Sequence, residues 1–314
     1  MIRVASIGNA NVDVLLYLDE LPPRGGQVEA RGAERRAGGA AANFAVAAAK
    51  LGLKASFIGC VGLDEDGDWL LSELASHGVD TSLVKRVGER TGFVVVLVEA
   101  GGERTMVAYR GANAALYEAG LEDLDYSMFD WVHASSIRPD AAAGAFKAAK
   151  RAGATTSYDP GGAVAMMGFG RLLQALEHTD ILFLNEREAQ LLESSGGGPE
   201  LEAVRRLVPT VVVKMGAEGA MAYRGGEAAS APAFRVEVVD TTGAGDAFDA
   251  AFCYALARGL GLRESLVFAN ACAALKITRR GAQSSPTLQE VLEFLALRGE
   301  AGLAQRLSRL RCSD

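Results

Sequence analysis

The run Asp240-Thr241-Thr242-Gly243-Ala244-Gly245-Asp246-Ala247-Phe248 follows an apolar stretch, Val236–Val239, and opens a stretch that predicts a helix over Ala244–Arg258. The small residues Gly243, Ala244 and Gly245 let backbone N–H groups converge at the helix start, where unpaired amides and the helix dipole attract an anion. Asp246 falls in the first turn, where the dipole favours an ionised carboxylate. An ionised carboxylate beside an anion hole suits phosphoryl transfer. We therefore predict Asp246 as the base that takes a proton from the acceptor.

Before this run, short apolar segments alternate with helical ones, and after Ala244 the chain is predicted to be mostly helical. This alternation predicts βαβ units and an α/β fold, with a doubly wound, mainly parallel sheet covered by helices on both faces. Val236–Val239 reads as an edge strand. The other predicted strands are Arg3–Ile7, Ala55–Cys60, Trp131–Ala134, Thr155–Tyr158, Ile181–Leu184 and Val211–Lys214, and the other predicted helices are Ala41–Leu51, Glu65–Ser76, Ala141–Arg151, Gly170–Glu177, Glu186–Glu193, Arg263–Thr278, Leu288–Leu297 and a short Leu303–Arg311.

Two β-rich segments interrupt the alternation. Val12–Glu34 contains no convincing helix, and Thr91–Arg110 predicts two strands joined by a Gly-rich turn, which is typical of a hairpin. We expect the two segments to pair into one small β lid over the carboxyl edge of the parallel sheet; the alternative is two independent surface hairpins. The predicted division is therefore a large domain of residues 1–8, 37–87 and 113–314, and a lid of residues 9–36 and 88–112.

Composition excludes several classes of protein. The 314 residues include 32 Lys and Arg against 39 Asp and Glu, a net charge of −7 that argues against a nucleic-acid binder. Without an apolar run of about 18 residues, no membrane span is expected. The amino terminus lacks signal-peptide features, and four scattered cysteines predict reduced, buried thiols in a cytoplasmic protein. These cysteines are Cys60, Cys253, Cys272 and Cys312. The Gly-rich segment Ser194–Gly198 is predicted to be a short loop.

Competing phosphate and hydrolase motifs are missing. The chain has no Gly-Lys dipeptide, and therefore no Walker A loop. It has no G-x-G-x-x-G after the first strand, which argues against a nicotinamide dehydrogenase. It also has no G-x-S-x-G, the elbow of a hydrolase nucleophile.

The run Asp240–Phe248 resembles the carboxy-terminal signature of the PfkB, or ribokinase-like, family of carbohydrate kinases. Gly38-Gly39-Ala40-Ala41-Ala42-Asn43 resembles the amino-terminal signature, and the resemblance covers essentially the whole chain. It implies a ribokinase-like fold and an ATP-dependent kinase that phosphorylates a primary hydroxyl of a sugar or sugar-like substrate. Asp246 would be the base, and Gly243, Ala244 and Gly245 would form the anion hole.

The same resemblance implies the residues of the acceptor site. Asp13 matches the sugar-binding Asp after the first strand, and its carboxylate can accept bonds from two vicinal hydroxyls. An Arg at position 110 resembles the residue with which 2-keto-3-deoxygluconate kinases bind a carboxylate. The acceptor side therefore comprises Asn11, Asp13, Gly38, Gly39, Asn43, Tyr109 and Arg110.

On the nucleotide side, Asn185-Glu186-Arg187-Glu188 matches the N-x-x-E motif of the family. Glu188 would hold Mg²⁺ through water, because Mg²⁺ dehydrates reluctantly. Asn185 and Glu188 also fit a helix capping pair, and both roles are compatible. The resemblance implies a nucleotide site of Asn185, Lys214, Gly216, Gly219 and Asn270.

Several questions stay open at the level of sequence. Asp240, Thr242, the Arg280–Gly281 backbone and Ser285 are candidate ligands of a monovalent cation such as K⁺, which some family members bind. Asp249 and Ala251 depart from the usual Asn and Gly and should alter packing more than proton transfer. The acceptor could be a sugar, a sugar acid or a nucleoside, and a non-catalytic regulator is the alternative of another class. Exposed lid edges could pair two chains into a homodimer.

Overall fold

The computed structural model describes residues 1–194 and 201–311. Its strands are β1 (Arg3–Gly8), β2 (Asn11–Tyr17), β3 (Gly32–Gly38), β4 (Lys54–Ile58), β5 (Cys60–Gly62), β6 (Lys85–Val87), β7 (Phe93–Val98), β8 (Arg104–Tyr109), β9 (Trp131–Ser135), β10 (Thr155–Asp159), β11 (Ile181–Asn185), β12 (Thr210–Lys214), β13 (Ala220–Arg224) and β14 (Glu227–Ala231). Its α-helices are α1 (Ala40–Lys50), α2 (Glu65–Ser76), α3 (Pro139–Arg151), α4 (Gly161–Ala165), α5 (Phe169–Leu176), α6 (Glu186–Ser194), α7 (Leu201–Leu207), α8 (Ala244–Ala257), α9 (Leu262–Ile277), α10 (Leu288–Leu297) and α11 (Ala301–Arg311).

The main sheet has the order β14-β13-β12-β11-β10-β9-β1-β4. The strands from β12 to β4 are parallel, while β13 and β14 add an antiparallel edge. The residues of β9 are buried throughout, as expected for a parallel strand covered on both faces. The chain runs outward on both sides of β1, and this reversal of strand order is where open α/β sheets place their ligands.

Helices cover both faces of this sheet. One core packs α1, α8, α9, α10 and α11 against it, and the opposite core packs α3, α5, α6 and α7. Helix α1 is alanine-rich and ends at Leu51, after which Gly52 has a φ of +91°, a common way to stop a helix.

The two β-rich segments pair into one small sheet, in the order β3-β2-β7-β8. Strands β2 and β7 are parallel, and each carries an antiparallel neighbour. Two independent hairpins are therefore excluded. Strand β3 continues to Gly38, two residues beyond the predicted lid boundary. The closing movement of this sheet stays a prediction.

Two local predictions are corrected, and one hairpin was not predicted. Val236–Val239 is no strand, because Val239 N–H donates to Ile277 O at the end of α9 instead of to a sheet edge. The sheet edge is formed by the hairpin β13–β14, which the sequence analysis missed. The predicted strand Ala55–Cys60 divides into β4 and the start of β5, which pairs with β6.

Cys60, Cys253 and Cys272 are free and buried, as predicted, and Cys312 lies outside the described residues, as does most of the predicted loop Ser194–Gly198. Within residues 1–194 and 201–311, no helix combines the length and apolarity that crossing a membrane requires.

Candidate active site

The carboxyl ends of the parallel strands form the floor of the site. Strand β1 ends at Gly8, β10 at Asp159, β11 at Asn185 and β12 at Lys214. A Cβ at Gly8, where φ is +153°, would lie 2.6 Å from the carbonyl oxygen of Ser135. Glycine therefore allows β1 and β9 to approach closely where the chain turns toward the site.

Gly243 shapes the start of α8. It has a φ of +78°, and a Cβ there would lie 2.6 Å from Ala282 O. Ala247 N–H donates to Gly243 O, and the preceding N–H groups of the first turn have no intrahelical acceptor. Ala244 N–H already donates to Thr241 O at 3.2 Å, so this member of the predicted anion hole is engaged in the turn.

Asp246 lies in the first turn of α8 and meets α1 through one hydrogen bond. Asn43 Nδ2 donates to Asp246 Oδ2 at 2.8 Å, which joins the two signature segments. Burial raises the pKa of Asp246 to about 6, while the Asn43 bond lowers it and Asp159 raises it. Burial therefore outweighs the helix dipole that the sequence analysis invoked. With a pKa of about 6, the carboxylate remains mostly ionised at pH 7 and is a stronger base than an ordinary aspartate.

The acceptor side is built where β2 meets the end of β3. In the antiparallel register Asp13 faces Arg36 and Asn11 faces Gly38. A Cβ at Gly38 would lie 2.2 Å from Asp13 Oδ2, so only glycine leaves that carboxylate its position. Burial raises the pKa of Asp13 to about 7.

Hydrogen bonds of Asn113, which the site prediction omitted, hold the start of the Asn11–Asp13 segment in place. Asn113 Nδ2 donates to Asn11 Oδ1 at 2.8 Å and to Ala10 O at 3.1 Å, and Ala10 N–H donates to Asn113 Oδ1. Gly39, with a φ of +99°, comes so close to this segment that a Cβ would lie 2.3 Å from Asn9 O. The sequence signal that could have indicated this role is an asparagine, Asn113, shortly after the predicted strand Arg104–Tyr109.

Tyr109 and Arg110 lie at the end of β8, and both are exposed. Tyr109 Oη donates to Glu89 at 2.6 Å, and Arg110 Nη1 donates to Tyr117 Oη at 2.8 Å. The Arg138 guanidinium lies over the same Tyr117 ring, 4.1 Å from its centroid. Arg110 and Arg138, both exposed, therefore lie against the same tyrosine, and we call them the rim arginines.

A cavity of about 640 Å³ brings most of the predicted nucleotide residues together. Asn270 Nδ2 donates to Ala231 O and Pro232 O at 3.0 and 3.1 Å, which fixes the amide of this buried residue. The lining is mainly apolar, as suits a nucleobase. Predicted site residues on the cavity wall are Lys214, Gly216, Gly219, Ala244, Gly245 and Asn270.

Asn185 and Glu188 form a reciprocal cap at the start of α6. Asn185 N–H donates to Glu188 Oε2 at 2.9 Å, and Glu188 N–H donates to Asn185 Oδ1 at 2.8 Å. Burial raises the pKa of Glu188, and nearby Asp159 raises it further. Among the described residues, no three His, Cys, Asp or Glu side chains cluster as a metal site.

Lys214 belongs to a buried ion cluster that the sequence analysis did not foresee. Its Nζ donates to Asp159 at 2.7 Å and to both oxygens of Asp249 at 3.0 and 3.1 Å. Burial opposes the charge of Lys214, but the two carboxylates outweigh it and raise its pKa. Burial raises the pKa of Asp249 well above its usual range, whereas Lys214 lowers that of Asp159. Burial therefore favours the neutral form of Asp249, and the Lys214 ammonium favours the ionised form of Asp159.

Two arginines of the small sheet reach Asp240. Arg36 donates to Oδ2 at 3.2 Å and Arg104 to Oδ1 at 2.9 Å, and Arg104 also contacts Thr242. Buried Lys276 donates from Nζ to Asp240 O at 2.8 Å. Burial lowers the pKa of Lys276 to about 8, and Asp240 raises it. Ser285 Oγ is buried and has no hydrogen-bond partner among the described residues.

Comparison with known proteins extends these observations. A family model described as pfkB family carbohydrate kinase matches residues 1–288. The chain is 38% identical over 300 residues to the ATP-dependent ribose-1-phosphate kinase of Halopiger xanaduensis, covering 95% of this chain and 99% of that protein.

Solved structures are similar over the same extent. The ribokinase of Arabidopsis thaliana, complexed with ribose and ATP, has a TM-score of 0.82 and 30% identity, covering 94% of this chain and 99% of that one. A nucleoside kinase of Methanocaldococcus jannaschii has a TM-score of 0.86 and 25% identity, covering 95% and 99%. The predicted α/β architecture with a small second sheet is confirmed.

Proposed function

The chain belongs to the pfkB family of carbohydrate kinases, and we propose that it transfers the γ-phosphate of ATP to the primary hydroxyl of a ribose-like pentose. Two similar proteins support a ribose-like acceptor: a ribose-1-phosphate kinase, and a ribokinase solved with ribose and ATP. The family and the ATP-dependent sugar kinase activity follow from the similarity over nearly the whole chain, whereas the acceptor and the residue roles are our proposal.

The observation that carries the proposal is the environment of Asp246. Its carboxylate is oriented by Asn43 at the start of α8 and has a pKa of about 6. A general base works best when its pKa lies near the operating pH, because it is then both ionised and basic. Asp246 accepts the proton of the hydroxyl as that oxygen attacks the γ-phosphorus and the bond to the β-phosphate oxygen breaks.

ATP occupies the cavity beside Asn270 and Gly216, with its terminal phosphate at the start of α8. The amides there neutralise charge that develops on the transferred group. Mg²⁺ would be held by the phosphates and, through water, by Glu188, and would neutralise phosphate charge. One oxygen of Glu188 accepts the cap bond, which leaves its second oxygen for this role.

Asp13 binds vicinal hydroxyls of the acceptor, and Gly38 leaves room for the sugar ring beside it. A carboxylate whose pKa is raised by burial gains stability from hydroxyl donors, because they replace lost water. The small sheet closes over the acceptor and excludes water, which limits hydrolysis of ATP.

Incubation with ATP, Mg²⁺ and a panel of acceptors tests this function by the ADP formed. The panel contains ribose, ribose 1-phosphate, fructose, a 2-keto-3-deoxy sugar acid and adenosine. We expect the highest kcat/KM with ribose or ribose 1-phosphate. A best acceptor outside that group would overturn the pentose assignment, and absence of turnover with every acceptor would favour a non-catalytic regulator.

The exposed rim arginines favour a second candidate, an acceptor that carries a negative charge, such as a sugar phosphate or a sugar acid. A planar guanidinium forms bidentate bonds that a lysine ammonium does not. Arg110→Lys should therefore raise the KM of an anionic acceptor by about 10-fold, about 1.4 kcal/mol, and leave that of ribose unchanged. An unchanged KM for both acceptors would exclude this role of Arg110.

A further inference from the structure

A lysine ammonium lies where the chain was expected to bind a monovalent cation. Lys276, in the last turn of α9, is 0% exposed, and its Nζ donates to the carbonyl oxygen of Asp240 at 2.8 Å. That carbonyl begins the run that leads through Gly243 to the anion hole. Burying an ammonium is costly, so its position calls for charge partners nearby.

The carboxylate of Asp240 is also fully engaged. Oδ1 accepts bonds from Arg104, from Thr242 N–H and from Thr242 Oγ1, at 2.7 to 3.0 Å. Oδ2 accepts from Arg36 and, at 2.9 Å, from Gly281 N–H. The N–H groups of Thr242 and Gly281 thus point at Asp240, and amide hydrogens repel a cation.

These contacts do not fit a bound K⁺. Such an ion is held by several oxygens that together replace its hydration shell. Every oxygen of Asp240 already accepts a bond from a cationic or N–H donor. Among the other predicted ligands, the carbonyl oxygen of Gly281 accepts a bond from Ser284 Oγ at 2.7 Å. Ser285 Oγ is buried without a partner among the described residues, and one hydroxyl does not replace a hydration shell.

We propose that the Lys276 ammonium supplies from within the chain the positive charge that a bound K⁺ supplies in cation-dependent relatives, so that catalysis here does not depend on K⁺. The ammonium interacts electrostatically with both Asp240 and Asp246, and it bonds to the carbonyl oxygen of Asp240, from which the chain leads to the start of α8. A fixed charge there stabilises negative charge on the transferred phosphate without reorganisation. The inference rests on the proposed kinase function.

The kinetic test compares wild type, Lys276→Ala and Lys276→Met in buffers whose only added cations are Mg²⁺ and tetramethylammonium. The acceptor is the best one from the panel. We expect wild-type kcat to change less than about 2-fold when 100 mM K⁺ or NH₄⁺ replaces tetramethylammonium. Lys276→Ala should lose at least about 10-fold in kcat and recover part of it in NH₄⁺ or K⁺, because a small cation can enter the space left by the ammonium.

A matched control is Lys50→Ala. Lys50 Nζ donates to the carbonyl oxygen of Gln283 at 2.9 Å, in the same loop as Ser285. This control loses a lysine-to-carbonyl bond of the same type and should keep wild-type kcat. Thermal unfolding of each variant shows which are folded, and Lys276→Met keeps most of the side-chain volume if the Ala variant does not fold.

A structural readout separates this inference from the kinase assignment. Crystals soaked in Rb⁺ should show no anomalous peak at Asp240 in wild type and a peak there in Lys276→Ala. A Rb⁺ peak in wild type, activation of wild type by K⁺ of 5-fold or more, or full K⁺-free activity of either Lys276 variant would overturn the inference. Lack of turnover by wild type would instead refute the proposed function, and the Rb⁺ experiment would still decide this one.

Discussion

Asp246 owes its chemistry to opposing effects on a single carboxylate. Burial raises its pKa, Asn43 and the ammonium groups of Lys214 and Lys276 lower it, and the balance lies at about 6. A free aspartate would be a weaker base at pH 7. A buried carboxylate with a raised pKa destabilises the fold at pH 7, which fits the proposed role of Asp246 as the base.

The variant Asp246→Asn tests this balance. Its kcat should fall by at least about 100-fold, since the amide accepts no proton. Its free energy of unfolding at pH 7 should rise by about 2–3 kcal/mol, because the pKa rises from 3.8 to about 6 on folding and each unit corresponds to about 1.4 kcal/mol. Steady-state kinetics and urea unfolding at pH 7 measure both quantities.

The pH dependence has a definite sign. A carboxylate whose pKa is raised by folding binds more protons in the folded state, so its contribution to stability falls as pH rises from about 4 to about 6. The advantage of Asp246→Asn should therefore vanish near pH 3.5. Wild-type kcat should rise with pH through an apparent pKa near 6; a profile that is flat from pH 5 to 8 would argue against Asp246 as the base.

The ion cluster around Lys214 gives a second residue-scale prediction. Lys214→Met leaves the side chains of Asp159 and Asp249 buried without their cation and should cost about 3–5 kcal/mol in unfolding free energy. Asp249→Asn keeps the shape of a side chain whose neutral form is favoured by burial, and it should cost less than about 1 kcal/mol. Urea unfolding of both variants measures the contrast, and equal losses would show that Asp249 carries a charge in the folded protein.

Among the secondary-structure elements, strand β3 has an end that positions the proposed acceptor site. Strand β3 pairs with β2 so that Gly38 lies against Asp13, and the chain then turns at Gly39 into α1, which carries Asn43. One short segment therefore links the acceptor carboxylate to the amide that orients Asp246. A displacement of β3 by a fraction of an ångström should therefore affect both the Asp13 carboxylate and the Asn43 amide.

Gly38→Ala and Gly32→Ala form a matched pair on β3. The new Cβ at position 38 would lie 2.2 Å from Asp13 Oδ2, whereas at position 32 it would meet Tyr17 at an ordinary 3.7 Å. We expect Gly38→Ala to raise the KM of the acceptor at least about 10-fold with a smaller change for ATP, and Gly32→Ala to behave as wild type. Equal KM changes for both substrates would place Gly38 outside the acceptor site.

In the molecule as a whole, ion pairs connect the small sheet to the loop before α8, in the larger part of the protein. Arg36 of β3 and Arg104 of β8 both end on Asp240, at the edge of the anion hole. Strands β3 and β8 are the edge strands of the small sheet, so each has one backbone edge without a strand partner among the described residues. Open strand edges and exposed apolar side chains favour association.

We predict a homodimer formed through this sheet. Val107 on β8 is 63% exposed, and Val107→Asp should shift the dimer toward monomer in light scattering after size-exclusion chromatography. Met128→Asp changes another exposed apolar residue, outside the small sheet, and should leave the assembly unchanged. A wild-type monomer at 50 μM, or equal effects of both variants, would contradict this interface.

Features that depend on neighbouring residues could be predicted from the sequence alone. The alternation of apolar strands and helices, the glycine turn before Asp246 and the Asn185–Glu188 cap depend on backbone geometry over a few residues, and all three occur in the structure. Val236–Val239 failed the same reasoning because an apolar run becomes a strand only where a sheet edge accepts its N–H groups.

The contacts between charged and polar groups that are distant in the sequence depend on the tertiary fold. Asn43 bonds to Asp246 across 203 positions of the chain, and Lys214 lies between carboxylates 35 and 55 positions away. Lys276 reaches Asp240 because α9 ends against the loop before α8. The order of the strands and the packing of the helices determine these contacts. The pKa values depend on the burial that this packing creates. A short segment of sequence therefore predicts neither the contacts nor the pKa values.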